Sequence, residues 1–215
     1  MAAVAWRWSK LVKPGDVVVA LSVAYLPCLH ALREHCEGAG AEVVILNLPF
    51  PCSSRNSILE SVETQLAELS AAGKRLRFAL LDHISSQPAL VLPLRELVAA
   101  CRRHGTDDME VAVDGAHSMG SCDFDVRHWG ADWFWTNLHK WAFAPSTATA
   151  MFAASASLMQ ETRHPIVSWG WSQGLASEAR FPGTRDNSAI LSAPAALEYL
   201  DNWRSNQGEV SHAFC

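Results

Sequence analysis

No apolar run in the sequence approaches the roughly 20 residues that a membrane-spanning helix requires, so a membrane protein is not expected. Positive charge is in deficit: 17 Lys and Arg face 22 Asp and Glu, a net charge of −5. A nucleic-acid-binding surface is normally basic, so nucleic acid is not an expected partner. No C-x-x-C pair is present, and the six cysteines, at 28, 36, 52, 101, 122 and 215, build no tight framework. That usage fits a reducing intracellular compartment, cytoplasmic or organellar. His30 and His35 stand five apart on an amphipathic stretch without matching Cys or carboxylates, so no metal is expected. The Gly38-x-Gly40 pair precedes a strand instead of following one, and is therefore not a dinucleotide fingerprint.

What is present is a chain of 215 residues, 49% hydrophobic and 18% charged, enough for one sizeable core. Pro14-Gly15-Asp16 launches an apolar strand, Val17–Leu21, of the kind buried in parallel sheets. Pro27 suits the first turn of a helix carrying Leu29, Leu32 and Cys36. Further strands are expected at Glu42–Leu48, Phe78–Leu81, Glu110–Val113, Ala131–Thr136 and Thr147–Ala153. Between them, Ser57 can cap a helix with Ile58, Val62, Leu66 and Leu69 on one face, and Pro93 opens another with Leu94, Leu97, Val98 and Cys101 inward. After Pro165 the pattern is irregular until a helix at about Ala189–Trp203, and the basic, acid-free MAAVAWRWSKLVK reads as a frayed end. Strands alternating with helices indicate an α/β protein with a mostly parallel sheet flanked by helices.

One stretch concentrates chemistry. The Glu110–Val113 strand runs into Asp114, Gly115, Ala116 and His117, and the Ala131–Thr136 strand leads to Asn137, Leu138, His139 and Lys140. An Asp at one strand end and a Lys after another put opposite charges at the carboxyl edge of an open sheet, where such sheets bind ligands. A lysine among Trp and Phe residues should be desolvated, which favours the neutral, nucleophilic amine that Schiff-base chemistry needs. The residues alone also permit plainer readings: a surface lysine with its stem along apolar neighbours, and a strand-end turn aspartate.

The segments DGAHSMG and TNLHKW, with LLDHISSQPALVLPLRELVAACRRHG and FPGTRDNSAILSAPAALEYL, resemble the class V aminotransferase group of pyridoxal-phosphate enzymes. Within it the chain resembles isopenicillin N epimerase-like proteins and plant-type L-cysteine desulfhydrases, in order from about Pro14 to Leu200. The resemblance implies the large cofactor domain of a fold type I enzyme over residues 1–186. Residues 187–215 would then be a helix leading toward a small domain, with the family's segments lacking at both ends. It implies pyridoxal 5'-phosphate as cofactor, with Lys140 as its covalent anchor and Asp114 on the pyridine nitrogen. His117 would hold the phenolic oxygen, and Thr136 and His139 the phosphate. Tyr25 falls where relatives place an aromatic or His over the ring, and Ser86 where desulfurase relatives carry an Asn. Thr184 would reach the neighbouring subunit's phosphate in a homodimer. The expected activity lies at the Cα or Cβ of an amino acid, L-cysteine being one candidate: desulfhydrase, epimerase or, less favoured, transaminase. The alternative is a non-catalytic relative that serves as a binding or interaction domain. A persulfide-forming cysteine is not identified, since Cys215 is merely terminal.

Overall fold

In the computed structural model the described residues are 1–52 and 54–206. Cys215 and the last part of the expected 187–215 segment lie outside them. The apolar run at the first turn becomes β1 (Asp16–Leu21), every residue of it buried. With β2 (Glu42–Leu46), β3 (Arg75–Asp82), β4 (Glu110–Asp114), β5 (Trp133–Asn137) and β6 (Thr149–Ala153) it forms a single sheet in the order β2-β1-β3-β4-β5-β6. All neighbours run parallel except β6, which returns antiparallel on β5.

Side chains alternate across each strand, so the sheet buries two different apolar faces. Val17, Val19, Leu81, Val111 and Val113 point to one side, against α3 (Arg55–Ala71) and α4 (Leu94–His104). Val18, Ala20, Leu80, Ala112, Trp133 and Trp135 point to the other, against α1 (Ala2–Leu11) and α2 (Leu26–His35). Short helices α5 (Val126–Trp129), α6 (Leu138–Trp141), α7 (Ala156–Glu161) and α8 (Leu175–Arg180) fill the connections, and α9 (Ser188–Asn206) packs Ala193 and Leu200 against the loop around α6.

Three expectations are corrected here. The amino-terminal segment is no frayed end: it folds as α1, with Val4, Ala5 and Trp8 fully buried. Its anchor is Glu110, whose carboxylate accepts from Arg7 Nη2 at 2.8 Å, Trp8 Nε1 at 3.0 Å and Trp133 Nε1 at 3.2 Å. The third helix is capped by Ser54, not Ser57. Ser57 is its partner in a capping box, each backbone N–H donating to the other's hydroxyl. The second strand stops at Leu46, because the Asn47 amide donates to Gln65 Oε1 and the Leu48 amide to Ser22 Oγ instead of continuing the ladder.

Three donors converge on the buried Glu110 carboxylate. Glu110→Ala strands the Arg7 guanidinium and both indoles, and is expected to cost about 3–5 kcal/mol. Chemical denaturation of the two chains reads this, and a loss below about 1 kcal/mol would contradict the anchoring role.

Candidate active site

Register decides which side chains meet at the carboxyl edge. The Cα of Asp82 pairs with that of Asp114, and Asp114 with Trp135, so these three stand side by side across β3, β4 and β5. By the alternation just described they follow Leu80, Ala112 and Trp133 onto the α2 face. His83, one residue on, turns to the other face, where its ring packs on Trp129 and its Nδ1 lies 2.7 Å from Ser118 Oγ.

Above the carboxylates lies a cavity of about 410 Å³. Lys140, Asp114, His117, Tyr25 and Ser86 all line it, together with Asp82, Cys28, Trp135 and Asn137. The structure therefore brings together five of the expected site residues from four separate segments. Thr136 and His139 are not among the lining residues. Thr136 is buried and accepts the Met119 amide at 3.2 Å, while His139 Nδ1 lies 3.0 Å from the Ala148 carbonyl oxygen. Both side chains brace the loop that carries Lys140. Thr184 is exposed and also lies away from the cavity. Arg185 donates to Asn187 Oδ1 at 3.0 Å.

Asp114 is 6% exposed and receives two donors: the Ala116 amide on Oδ1 at 2.9 Å and the Cys28 thiol on Oδ2 at 3.3 Å. Burial, then the neighbouring Asp114 charge, push the Cys28 thiol up to about 12, so it remains an S–H donor. Among the described residues no Lys or Arg pairs with Asp114. Beside it, Asp82 is 5% exposed, and its Oδ2 has no hydrogen-bond partner among the described residues. Two charges on strands about 4.8 Å apart repel by roughly 3 kcal/mol at an effective dielectric of about 20. Burial first, and then Asp114, raise the Asp82 carboxyl from 3.8 to about 8. Sequence reading passed over both Asp82 and Cys28. The signal for Asp82 was the repeated pattern of an apolar run closing on Asp, in LLD as in AVD.

The expected desolvation of Lys140 is corrected. Its side chain is exposed, and Trp141 beside it is 54% exposed, because α6 presents its apolar contact through Leu138 instead. Lys140 is placed by backbone packing. Gly120 sits at φ 91°, and a Cβ there would come within 1.9 Å of the Trp141 carbonyl oxygen, so the two site loops touch main chain to main chain. That contact sets His117 between the residues of α6: Trp141 Nε1 donates to His117 Nδ1 at 3.1 Å, and His117 Nε2 lies 3.2 Å from Lys140 Nζ. Burial, then the charge of Lys140, hold His117 below its ordinary value, so the ring is neutral at pH 7. A neutral imidazole has one acceptor and one N–H. With the indole on Nδ1, the N–H is on Nε2 and faces the lysine nitrogen.

Asp82 gives a pH signature. The folded protein keeps a proton on this carboxyl that the unfolded chain loses above 3.8, so its contribution to stability falls as pH climbs from about 4 to about 8 and is level beyond. Asp82→Asn is expected to melt higher than the unsubstituted chain above pH 8, by about 2–8 °C for ~1–2 kcal/mol, with the gain vanishing near pH 4. Melting curves across pH check this; a gain of constant size would show that the carboxyl does not titrate with folding.

Comparison with known proteins follows the same geometry. The family described as aminotransferase class-V matches residues 1–213. Over 191 residues the chain is 39% identical to a probable chloroplastic L-cysteine desulfhydrase of Arabidopsis thaliana, covering 88% of this chain and 40% of the relative. It is 37% identical to a putative L-cysteine desulfhydrase of Oryza sativa, covering 88% and 39%. Among solved structures, the cysteine desulfurase CsdA of Escherichia coli superposes with a TM-score of 0.76 at 19% identity, covering 97% of this chain and 52% of that one. The cystine C-S lyase C-DES, solved with cysteine persulfide, gives 0.69 at 20% identity, covering 93% and 54%. The chain thus spans about two fifths of the length of these curated relatives. With its mostly parallel sheet, its edge cavity and a family match along nearly its whole length, the chain belongs to the class V aminotransferase family.

Proposed function

We propose that this chain is the pyridoxal-phosphate-binding core of an enzyme that cleaves the Cβ–S bond of L-cysteine and releases sulfide. The observation that carries this reading is the meeting of Lys140, on α6, and Asp114, at the end of β4, in one cavity. The relatives named L-cysteine desulfhydrase supply the substrate.

The residues present fit the cofactor. Asp114 is a buried carboxylate with an amide and a thiol as donors and no ion pair to Lys or Arg among the described residues, which suits it to a protonated ring nitrogen. Lys140 is the amine to hold the aldehyde, and His117 the neighbour to hold the phenolic oxygen. Tyr25, 61% exposed at the start of α2, stands at the mouth where a ring would be covered. Contacts to the phosphate from Thr136, His139 and Thr184 would fall outside this cavity. When bound, pyridoxal phosphate supplies an electron sink for negative charge at the substrate Cα. Lys140 Nζ would be the base placed to take the Cα proton, with His117 Nε2 3.2 Å from it.

A homodimer belongs to this reading. Trp169, 86% exposed, with Val167 and Leu191, forms apolar surface that a second copy would cover, and exposed Thr184 is assigned to that neighbour's phosphate. An intracellular, reducing compartment, cytoplasmic or organellar, is supported by the free thiols of Cys28, Cys36, Cys52 and Cys101. No helix among the described residues is long and apolar enough to cross a membrane.

Added pyridoxal phosphate is expected to give absorbance at the visible edge that is lost in Lys140→Ala. Asp114→Ala should weaken cofactor binding roughly 10- to 100-fold, from ~1.5–3 kcal/mol for a charged hydrogen bond. The full-length protein should release sulfide from L-cysteine. Racemisation of peptide-like amino acids without sulfide would make it an epimerase, and absence of the absorbance band a non-catalytic relative.

A further inference from the structure

We propose that Asp82 and Asp114 work as one carboxyl pair: Asp82 carries a proton, so that a single negative charge, on Asp114, meets the ring nitrogen of the cofactor. Only the last clause rests on the pyridoxal-phosphate reading; the proton on Asp82 does not.

The two residues share the end of the same sheet face as direct register partners. They are buried alike but solvated unequally. Asp114 takes an amide and a thiol, both of which stabilise its ionised form. Asp82 leaves Oδ2 without a hydrogen-bond partner among the described residues, and an ionised oxygen left so is the costlier of the two. The proton of the pair therefore settles on Asp82. Other titratable groups reach the cavity from each element around it: Met1 before α1, Tyr25 and Cys28 at the start of α2, His117 after β4 and Lys140 on α6. None of them forms an ion pair with Asp82 among the described residues. Burial and the adjacent charge point the same way, holding the Asp82 proton until about pH 8.

One negative charge matches one pyridinium. An ionised Asp82 would set a second charge against the same ring, so Asp82 is a positioning residue that acts through Asp114. It needs no contact with the substrate.

Infrared difference spectra of the full chain without cofactor test the pair. At pH 7 the unsubstituted chain is expected to show a protonated-carboxyl C=O band that Asp82→Asn lacks. In Asp114→Asn, with the neighbouring charge removed, the midpoint at which this band disappears should fall by about one unit or more. Absence of the band, or a midpoint unmoved by Asp114→Asn, overturns the proposal. Should Asp82→Asn fail to fold, the pH titration of the band in the unsubstituted chain and in Asp114→Asn still decides it. Pyridoxal phosphate is then added: Asp82→Asn should keep its affinity within about threefold, against the larger loss from Asp114→Asn. A chain that shows the band but binds no pyridoxal phosphate supports the proton on Asp82 and overturns the cofactor reading alone.

Discussion

Parallel register between β3, β4 and β5 is the constraint from which the site follows. Side chains alternate strictly across a strand, so once Ala112 is buried under α2, Asp114 must face α2 as well. The same rule carries Asp82 to that face and His83 to the opposite one. A slip of one residue in β4 would put Asp114 among the valines packed on α3 and α4, and no cavity residue could reach it. The apolar alternation that holds the sheet together is thus also what aims the carboxylates.

The protein contains two kinds of buried acid, and they differ in how charge is answered. Glu110 is neutralised within the fold by Arg7 and further held by two indole N–H groups. Asp114 is held by two dipoles and forms no ion pair with Lys or Arg among the described residues, and Asp82 lacks even a dipole at one oxygen. Glu110 ties α1 to the sheet and is complete. The carboxylates at the strand ends are incomplete in a way that only a cationic or proton-donating ligand answers.

How far this was legible in the sequence depends on how local each fact is. Strands appear as apolar runs, so the parallel α/β architecture, the strand end bearing Asp114 and the turn after β5 that leads to Lys140 follow from composition and period. Resemblance to a family marked His117, Tyr25 and Ser86, which the fold does bring to one cavity. Asp82 became visible only with the strand order, because its meaning comes from adjacency to Asp114 in space. The amino-terminal helix was misread for the same reason. Its partner, Glu110, lies 103 residues from Arg7, and no local pattern announces such a pairing. Thr136 and His139 stand next to the lysine in sequence, yet their polar atoms meet the Met119 amide and the Ala148 carbonyl.

Aromatic neighbours in sequence are not aromatic walls in space, and Lys140 shows what replaces them. Trp141 and Phe143 are each about half exposed and build no apolar wall around the lysine. What the fold supplies is a fixed donor count. The close approach of Gly120 to Trp141 locks two loops together; the indole then occupies the one acceptor of a neutral His117, and the remaining ring N–H meets Lys140. Hydrogen bonds and a main-chain contact thus fix the residues at the mouth of the cavity, while at its floor burial, and then Asp114, raise the Asp82 carboxyl. The two ends are also coupled: the Asp114 charge acts on His117 against burial and Lys140, so a substitution at Asp114 is felt at the mouth as well.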